Sequence, residues 1–187
     1  MPCVKDEVVV DLGAYVGDTA LSFVRTYGKD AYKHYYCYEI SAVTMEQCKR
    51  NTASLHNLLY CQKGVGAEKG VLYLQTSASD ASAHSLSAAG GQPIEVVALD
   101  DDIAEPITFL KMDIKGAEQA AICGAAKHIQ NDRPKMALSV YHNNEDLWKI
   151  PRMIDELCPD CRFYLRYHGG NLWATEISFL TVPDKMY

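Results

Sequence analysis

The chain has 187 residues, with 18 Lys and Arg against 24 Asp and Glu for a net charge of −6. That length suits one domain around one core, and an acidic balance without basic runs argues against nucleic acid or an anionic membrane as partner. No apolar stretch approaches a membrane span and no signal peptide opens the sequence, so the expectation is a single cytoplasmic domain over 1–187, free to self-associate as a homo-oligomer.

Val8-Val9-Val10-Asp11 is an apolar β-branched run ending in an acid, followed by Leu12-Gly13-Ala14-Tyr15-Val16-Gly17 and then Asp18-Thr19-Ala20-Leu21. This reads as strand, glycine turn and helix, with Asp18 as the helix cap and Gly28 as its end. The unalternating run predicts a strand covered on both faces, as in a parallel sheet. His34 to Tyr38 is a second strand closing on Glu39 and Ile40, and Ser41 caps a helix reaching to about Asn57. Leu58 to Lys63 is a third strand, followed by Gly64-Val65-Gly66.

Val71 to Gln75 and Ile94 to Ala98 read as short strands. The Ser-, Ala- and Gly-rich segment between them, Thr76 to Gln92, has too little bulk for a core and reads as a flexible loop or a lid. Ile107 to Met112 is a fourth main strand ending at Asp113, followed by Gly116 and one helix over Ala117 to Gln130. Pro134 breaks before a fifth strand, Lys135 to Tyr141. Leu147, Ile150, Ile154 and Leu157 mark the next helix, with Pro151 at or near its start. Arg162 to Tyr167 and Trp173 to Leu180 close the chain as a hairpin joined at Gly169-Gly170-Asn171. Alternating strands and helices imply a Rossmann-like, doubly wound and mostly parallel α/β sheet with helices on both faces. About seven strands are expected, the last antiparallel, with ligands at their carboxyl ends.

Seven cysteines is an odd number. Cys37, Cys61 and Cys123 lie in apolar segments, which suits free buried thiols in a reducing compartment. Cys158-Pro159-Asp160-Cys161 follows a helix near the end of the chain and reads as a loop with incidental thiols, a redox or metal role being the alternative.

The spacing of the first turn separates two kinds of nucleotide ligand. A dinucleotide fingerprint needs a glycine where Tyr15 stands, so an NAD(P)-linked oxidoreductase is the runner-up, together with a cofactor-binding module of little activity. Glu39 can accept hydrogen bonds from a ribose diol in either cofactor class. Asp113 reaches the carboxyl edge of the sheet, Glu118 follows on the next helix, and Val140-Tyr141-His142 closes the fifth strand. Among these, His142 suits a general base for a hydroxyl acceptor, with Asp113 second. A structural histidine is the plainer reading of His142. Asp113, Glu118 and His142 could also form an oxygen- and nitrogen-rich metal site, although no metal is the preferred expectation.

The segments VVVDLGAYVGDT, YEIS, GVGAEKG, LDDDI, FLKMDIKGAE, SVYH with DLWKIP, and YLRYH occur in order along most of the chain. Together they resemble the FkbM family of S-adenosylmethionine (SAM) methyltransferases. The resemblance implies SAM as cofactor and O-methylation of a small metabolite or saccharide. It would place Asp11, Gly13 and Gly17 against the methionine part of SAM and Glu39 on its ribose, with Tyr15, Asp18, Thr19, Ile40, Val65, Gly66 and Asp113 also among the cofactor-binding residues. Asp113, Glu118 and His142 would face the acceptor side, together with Lys115 and His168. Lys115 stands where the family usually has Glu, and about seven residues precede the first strand, fewer than relatives commonly carry.

Overall fold

Strand β1 (Glu7–Leu12) is buried at every position, and its alternate side chains enter two different cores. Val10 and Leu12 join one cluster, whereas Val9 joins the other. The apolar run therefore has no polar face because neither face meets water. The computed structural model describes residues 5–76, 84–87, 91–168 and 176–184.

Around β1 lie β2 (Tyr32–Tyr38), β3 (Leu58–Cys61), β8 (Phe109–Met112), β9 (Lys135–Ser139), β10 (Cys161–Tyr167) and β11 (Ile177–Pro183). They form a seven-stranded sheet in the order β10-β11-β9-β8-β1-β2-β3. The pairs from β3 to β9 are parallel, and β11 runs antiparallel between β9 and β10. The chain reverses direction across the sheet at β1 and β8, which leaves a crevice outside their carboxyl ends.

Helices α1 (Asp18–Tyr27) and α2 (Ala42–Asn51) cover one face of the sheet, contributing Ala20, Phe23 and Cys48 to the cluster around Val9. The other face is covered by α3 (Leu99–Asp102), α4 (Glu118–Gly124), α5 (Ala126–Asn131) and α6 (Asp146–Leu157). Leu99, Ile122, Ile129, Ile150 and Ile154 from these helices pack on Leu110, Met112 and Leu138. Among the described residues no helix is long and apolar enough to cross a membrane.

Several local expectations change for physical reasons. The cap of α1 is Gly17, in the left-handed region at φ 83°, while Asp18 is the first helical residue and makes no cap bond. Ser41 does cap α2, its hydroxyl accepting the Thr44 N–H at 3.3 Å. The single helix expected over 117–130 is broken at Ala125. Gly124 lies so close to the Gly66 carbonyl that no Cβ fits there, and Asp100 accepts the N–H groups of Lys127 and His128, opening α5 as a separate helix. Pro151 is inside α6 rather than at its start. The helix begins earlier because Asp146 accepts the Asn143 backbone N–H at 2.9 Å and its side-chain amide at 3.0 Å.

The middle of the chain forms a second sheet from β4 (Gly64–Val65), β5 (Gly70–Thr76), β6 (His84–Ser87) and β7 (Gln92–Val97), in the order β4-β7-β5-β6. Residues 84–87, expected as loop, pair antiparallel with β5; the rest of that expected loop between 77 and 90 lies outside the described residues, as does the turn at 169–171. Cys158 and Cys161, expected as incidental thiols, are joined as a disulfide, because the end of α6 returns directly into β10. Cys37, Cys48, Cys61 and Cys123 are free.

Candidate active site

The glycine turn after β1 is shaped by close approach to β8. Gly13 has φ 80°, and a Cβ there would fall on the Asp113 carbonyl oxygen. Its N–H and that of Ala14 both donate to the Tyr38 carbonyl, at 3.0 and 2.9 Å, so the turn is tied to the ends of both neighbouring strands. Gly17 serves a different contact, because a Cβ there would meet Thr52 and Cys48 of the α2 segment.

The crevice at these strand ends is a cleft of about 780 Å³. One wall carries Gly13, Tyr15, Asp18, Thr19, Glu39 and Ile40; the other carries Lys111, Asp113, Ile114, Lys115 and Gly116. Val65 lies along it as well, with Tyr38, Lys63 and Leu72. Most of the residues expected on a cofactor therefore share this one cavity.

Glu39 is fixed at the cleft by two backbone donors. The Tyr15 N–H reaches Oε2 at 3.2 Å and the Ser41 N–H reaches Oε1 at 2.9 Å. Tyr15 adopts φ 47° to present that N–H, a left-handed conformation that costs a residue with a Cβ more than it would glycine. Each carboxylate oxygen keeps further acceptor capacity for a ligand hydroxyl.

Asp11 is placed differently from the sequence expectation. It is fully buried and does not line the cleft, because it points from β1 toward the α1 and α2 face. The Lys111 ammonium lies 2.9 Å from its Oδ1, and the Tyr35 hydroxyl donates to Oδ2 at 3.1 Å. Burial pushes the Asp11 carboxyl up against the opposing pull of Lys111. The Lys111 ammonium feels the same burial, but Asp11 outweighs it and holds its pKa above the ordinary value. Lys111 also donates to the Gly13 carbonyl at 2.7 Å. The pair thus braces the glycine turn from beneath.

Gly66 is likewise off the cleft wall, its carbonyl packed under Gly124. His168 is exposed at the end of β10, its N–H donating to the Glu176 carbonyl.

Asp113, Glu118 and His142 converge closely. Glu118 is fully buried and accepts the N–H groups of Ile114 and Gly116, each at 2.9 Å, so it holds the turn in which Lys115 takes φ 57°. His142 Nδ1 lies 2.8 Å from the same carboxylate. Burial favours the neutral acid, but hydrogen bonds from His142 and the Ile114 N–H hold the Glu118 carboxyl below its ordinary range. The ionised carboxylate assigns the proton to His142 Nδ1. The other ring nitrogen, Nε2, then faces Asp113 Oδ1 at 3.3 Å. Asp113 is 36% exposed and lines the cleft, whereas His142 is 10% exposed behind it. His142 therefore reaches the cleft through Asp113. Lys115 is exposed on the same wall.

Sequence reasoning missed Tyr38, Lys63 and Lys111. Tyr38 and Lys63 adjoin the ends of β2 and β3, where the position itself was the available signal. Their side chains meet at Asp102, which accepts from the Tyr38 hydroxyl at 2.7 Å and from Lys63 at 2.6 Å. Lys111 stands opposite Asp11 in the β1–β8 register, a pairing that depends on two segments distant in sequence.

The seven-stranded sheet with one reversed strand, and the cleft at its carboxyl edge, define a Rossmann-like domain of the methyltransferase type. The FkbM methyltransferase domain family matches residues 11–170, and the chain belongs to that family. Among solved structures, the methyltransferase FkbM from Methylobacillus flagellatus KT superposes with a TM-score of 0.75 at 26% identity, covering 93% of this chain. The match covers 43% of that protein, so this chain spans less than half its length. The ribosomal protein L11 methylase of Lactobacillus delbrueckii subsp. bulgaricus has a TM-score of 0.56 at 15% identity, covering 95% of this chain and 69% of that one. Fibrillarin of Aeropyrum pernix, solved with natively bound SAM, has a TM-score of 0.54 at 11% identity, covering 97% of this chain and 69% of that one. These two identities speak for the fold alone. No curated protein matches the chain with significance.

Proposed function

We propose that the protein is a SAM-dependent methyltransferase acting on a hydroxyl of a small metabolite or saccharide. The observation that carries the proposal is one cleft with Glu39 on its first wall and Asp113, backed by His142, on its second. The size suits a cofactor with an acceptor beside it, since ligand sites commonly run from about 300 to 1,000 Å³. The cradle also fits SAM: the backbone at Gly13 is bare of Cβ, and the carboxylate of Glu39 is held at the cleft by two backbone donors with acceptor capacity left for a diol. The membership in the FkbM family supports the same cofactor.

Tyr15, Asp18 and Thr19 would enclose the amino-acid end, Glu39 and Ile40 the ribose, and Tyr38, Lys63 and Val65 the base. Bound there, SAM supplies a methyl group on a sulfonium, a donor that loses its charge as the methyl leaves. The chain's task is then alignment, water exclusion and removal of one proton. Asp113 faces the acceptor, and the hydroxyl proton has a place between its Oδ1 and His142 Nε2, two acceptor atoms otherwise facing each other. Glu118 orients the imidazole by accepting from Nδ1. Lys115 lies where it can meet the acceptor.

The test is calorimetric titration with S-adenosylhomocysteine, repeated on Glu39→Ala. Micromolar binding, lost at least tenfold in the variant, is expected; micromolar affinity corresponds to about −8 kcal/mol. NAD binding in place of S-adenosylhomocysteine would overturn the proposal.

A further inference from the structure

Asp113 Oδ1 and His142 Nε2 are both buried atoms without a hydrogen-bond partner, yet they face each other at 3.3 Å. With Nδ1 donating to Glu118, Nε2 in the neutral tautomer presents a lone pair to the same gap as Asp113 Oδ1. Their separation is longer than the 2.7–2.9 Å usual for a charge-assisted N–H···O bond. It does suit two ligands of one ion: donors about 2.1 Å from a metal and 3.3 Å apart subtend about 104° at it, between octahedral and tetrahedral angles.

From this juxtaposition we propose that Asp113 and His142 bind a divalent transition-metal ion, with Glu118 as the carboxylate that orients the ligating imidazole. The three side chains present ligand atoms all within 4.8 Å of one another. Glu118 is already engaged by two backbone N–H groups and by Nδ1, so it acts on the ion through His142. Such a carboxylate–histidine arrangement sets the tautomer and strengthens the nitrogen as a ligand. A nitrogen and oxygen donor set suits Mn²⁺ or Zn²⁺ better than Ca²⁺.

Asp113 also lies on the cleft wall, so the ion's remaining positions are open to water or to an acceptor oxygen. This role rests on the methyltransferase reading, whereas ion binding does not. An ion held there would supply Lewis-acid chemistry to an acceptor oxygen, in place of the proton-accepting role that the Asp113–His142 pair has without it.

The test uses the full chain, stripped with a chelator and dialysed, and needs no acceptor. Uptake of Mn²⁺ is followed by loss of the free-ion electron paramagnetic resonance signal, and uptake of Zn²⁺ by calorimetry. One ion per chain is expected, with affinity lowered at least tenfold in both Asp113→Asn and His142→Gln. Glu118→Gln should weaken it by about 10- to 100-fold, as loss of an orienting partner does. Circular dichroism and thermal unfolding of each variant establish that it is folded. No uptake of either ion up to about 1 mM, a range that includes weak cation sites, would overturn the metal proposal, as would uptake unchanged in a folded His142→Gln. S-adenosylhomocysteine binding without ion uptake would sink the metal site and leave the cofactor reading standing.

Discussion

Replacing Lys111 with Met should destabilise the fold through Asp11, a residue that touches no ligand. The Asp11 carboxylate is fully buried, 2.9 Å from the Lys111 ammonium, and Lys111→Met would leave it only the Tyr35 hydroxyl at 3.1 Å. Removing one partner of a buried ion pair costs about 3–5 kcal/mol. In a domain of this size each kcal/mol moves Tm by about 2–4 °C, so Tm should fall by about 6–20 °C. Burial already raises the Asp11 carboxyl despite Lys111, and without the cation it rises further. A carboxyl raised in the folded state weakens folding above its unfolded pKa, and the cost grows until pH passes the folded pKa. The deficit of the variant should therefore be larger at pH 8 than at pH 5. Thermal and urea unfolding followed by circular dichroism at both pH values measures it. The double variant Asp11→Asn, Lys111→Met should recover most of the loss, since it removes the unpaired charge. A single variant within about 1 kcal/mol of the parent at pH 8 would refute the bracing role, because an exposed pair is worth no more than that.

Gly13→Ala should cost about 2 kcal/mol or more and abolish S-adenosylhomocysteine binding, because the new Cβ would fall on the Asp113 carbonyl oxygen at a backbone of φ 80°; titration calorimetry and denaturant unfolding check both effects. Glu105 should contribute acid-sensitive stability. Burial pushes its carboxyl up, but Tyr36, Lys33 and His34 outweigh that and hold it below its ordinary range. A lowered carboxyl stabilises above its unfolded pKa and loses that contribution as pH falls through the folded value. Glu105→Gln should accordingly cost about 1–2 kcal/mol at neutral pH, with the difference from the parent shrinking below pH 4 in urea titrations.

The sequence by itself determined the frame. Val8 to Val10, the glycines at 13 and 17 and the acids closing β1, β2 and β8 are local signals, in which periodicity, turn chemistry and strand-end position act within a few residues. The alternation of strand and helix then required a parallel sheet with its cleft at the carboxyl edge, which is why Glu39 and Asp113 were legible as wall residues before any coordinates.

Tertiary structure decided what each acid does. Asp11 lies one residue before the end of β1 and Glu39 one residue after the end of β2, but Asp11 faces Lys111 beneath the turn while Glu39 opens into the cleft. The difference depends on a β1–β8 register between residues 100 positions apart. The break at Ala125 likewise follows from Gly124 meeting Gly66, and residues 84–87 acquire a strand only by pairing with β5. His142 looked like a residue on the cleft; packing set it behind Asp113, with one nitrogen held by Glu118 and the other aimed at the Asp113 carboxylate. Side-chain type and spacing can nominate such a cluster, but which atom faces which is set by long-range packing, where burial leaves each polar group only the partners that the fold brings to it.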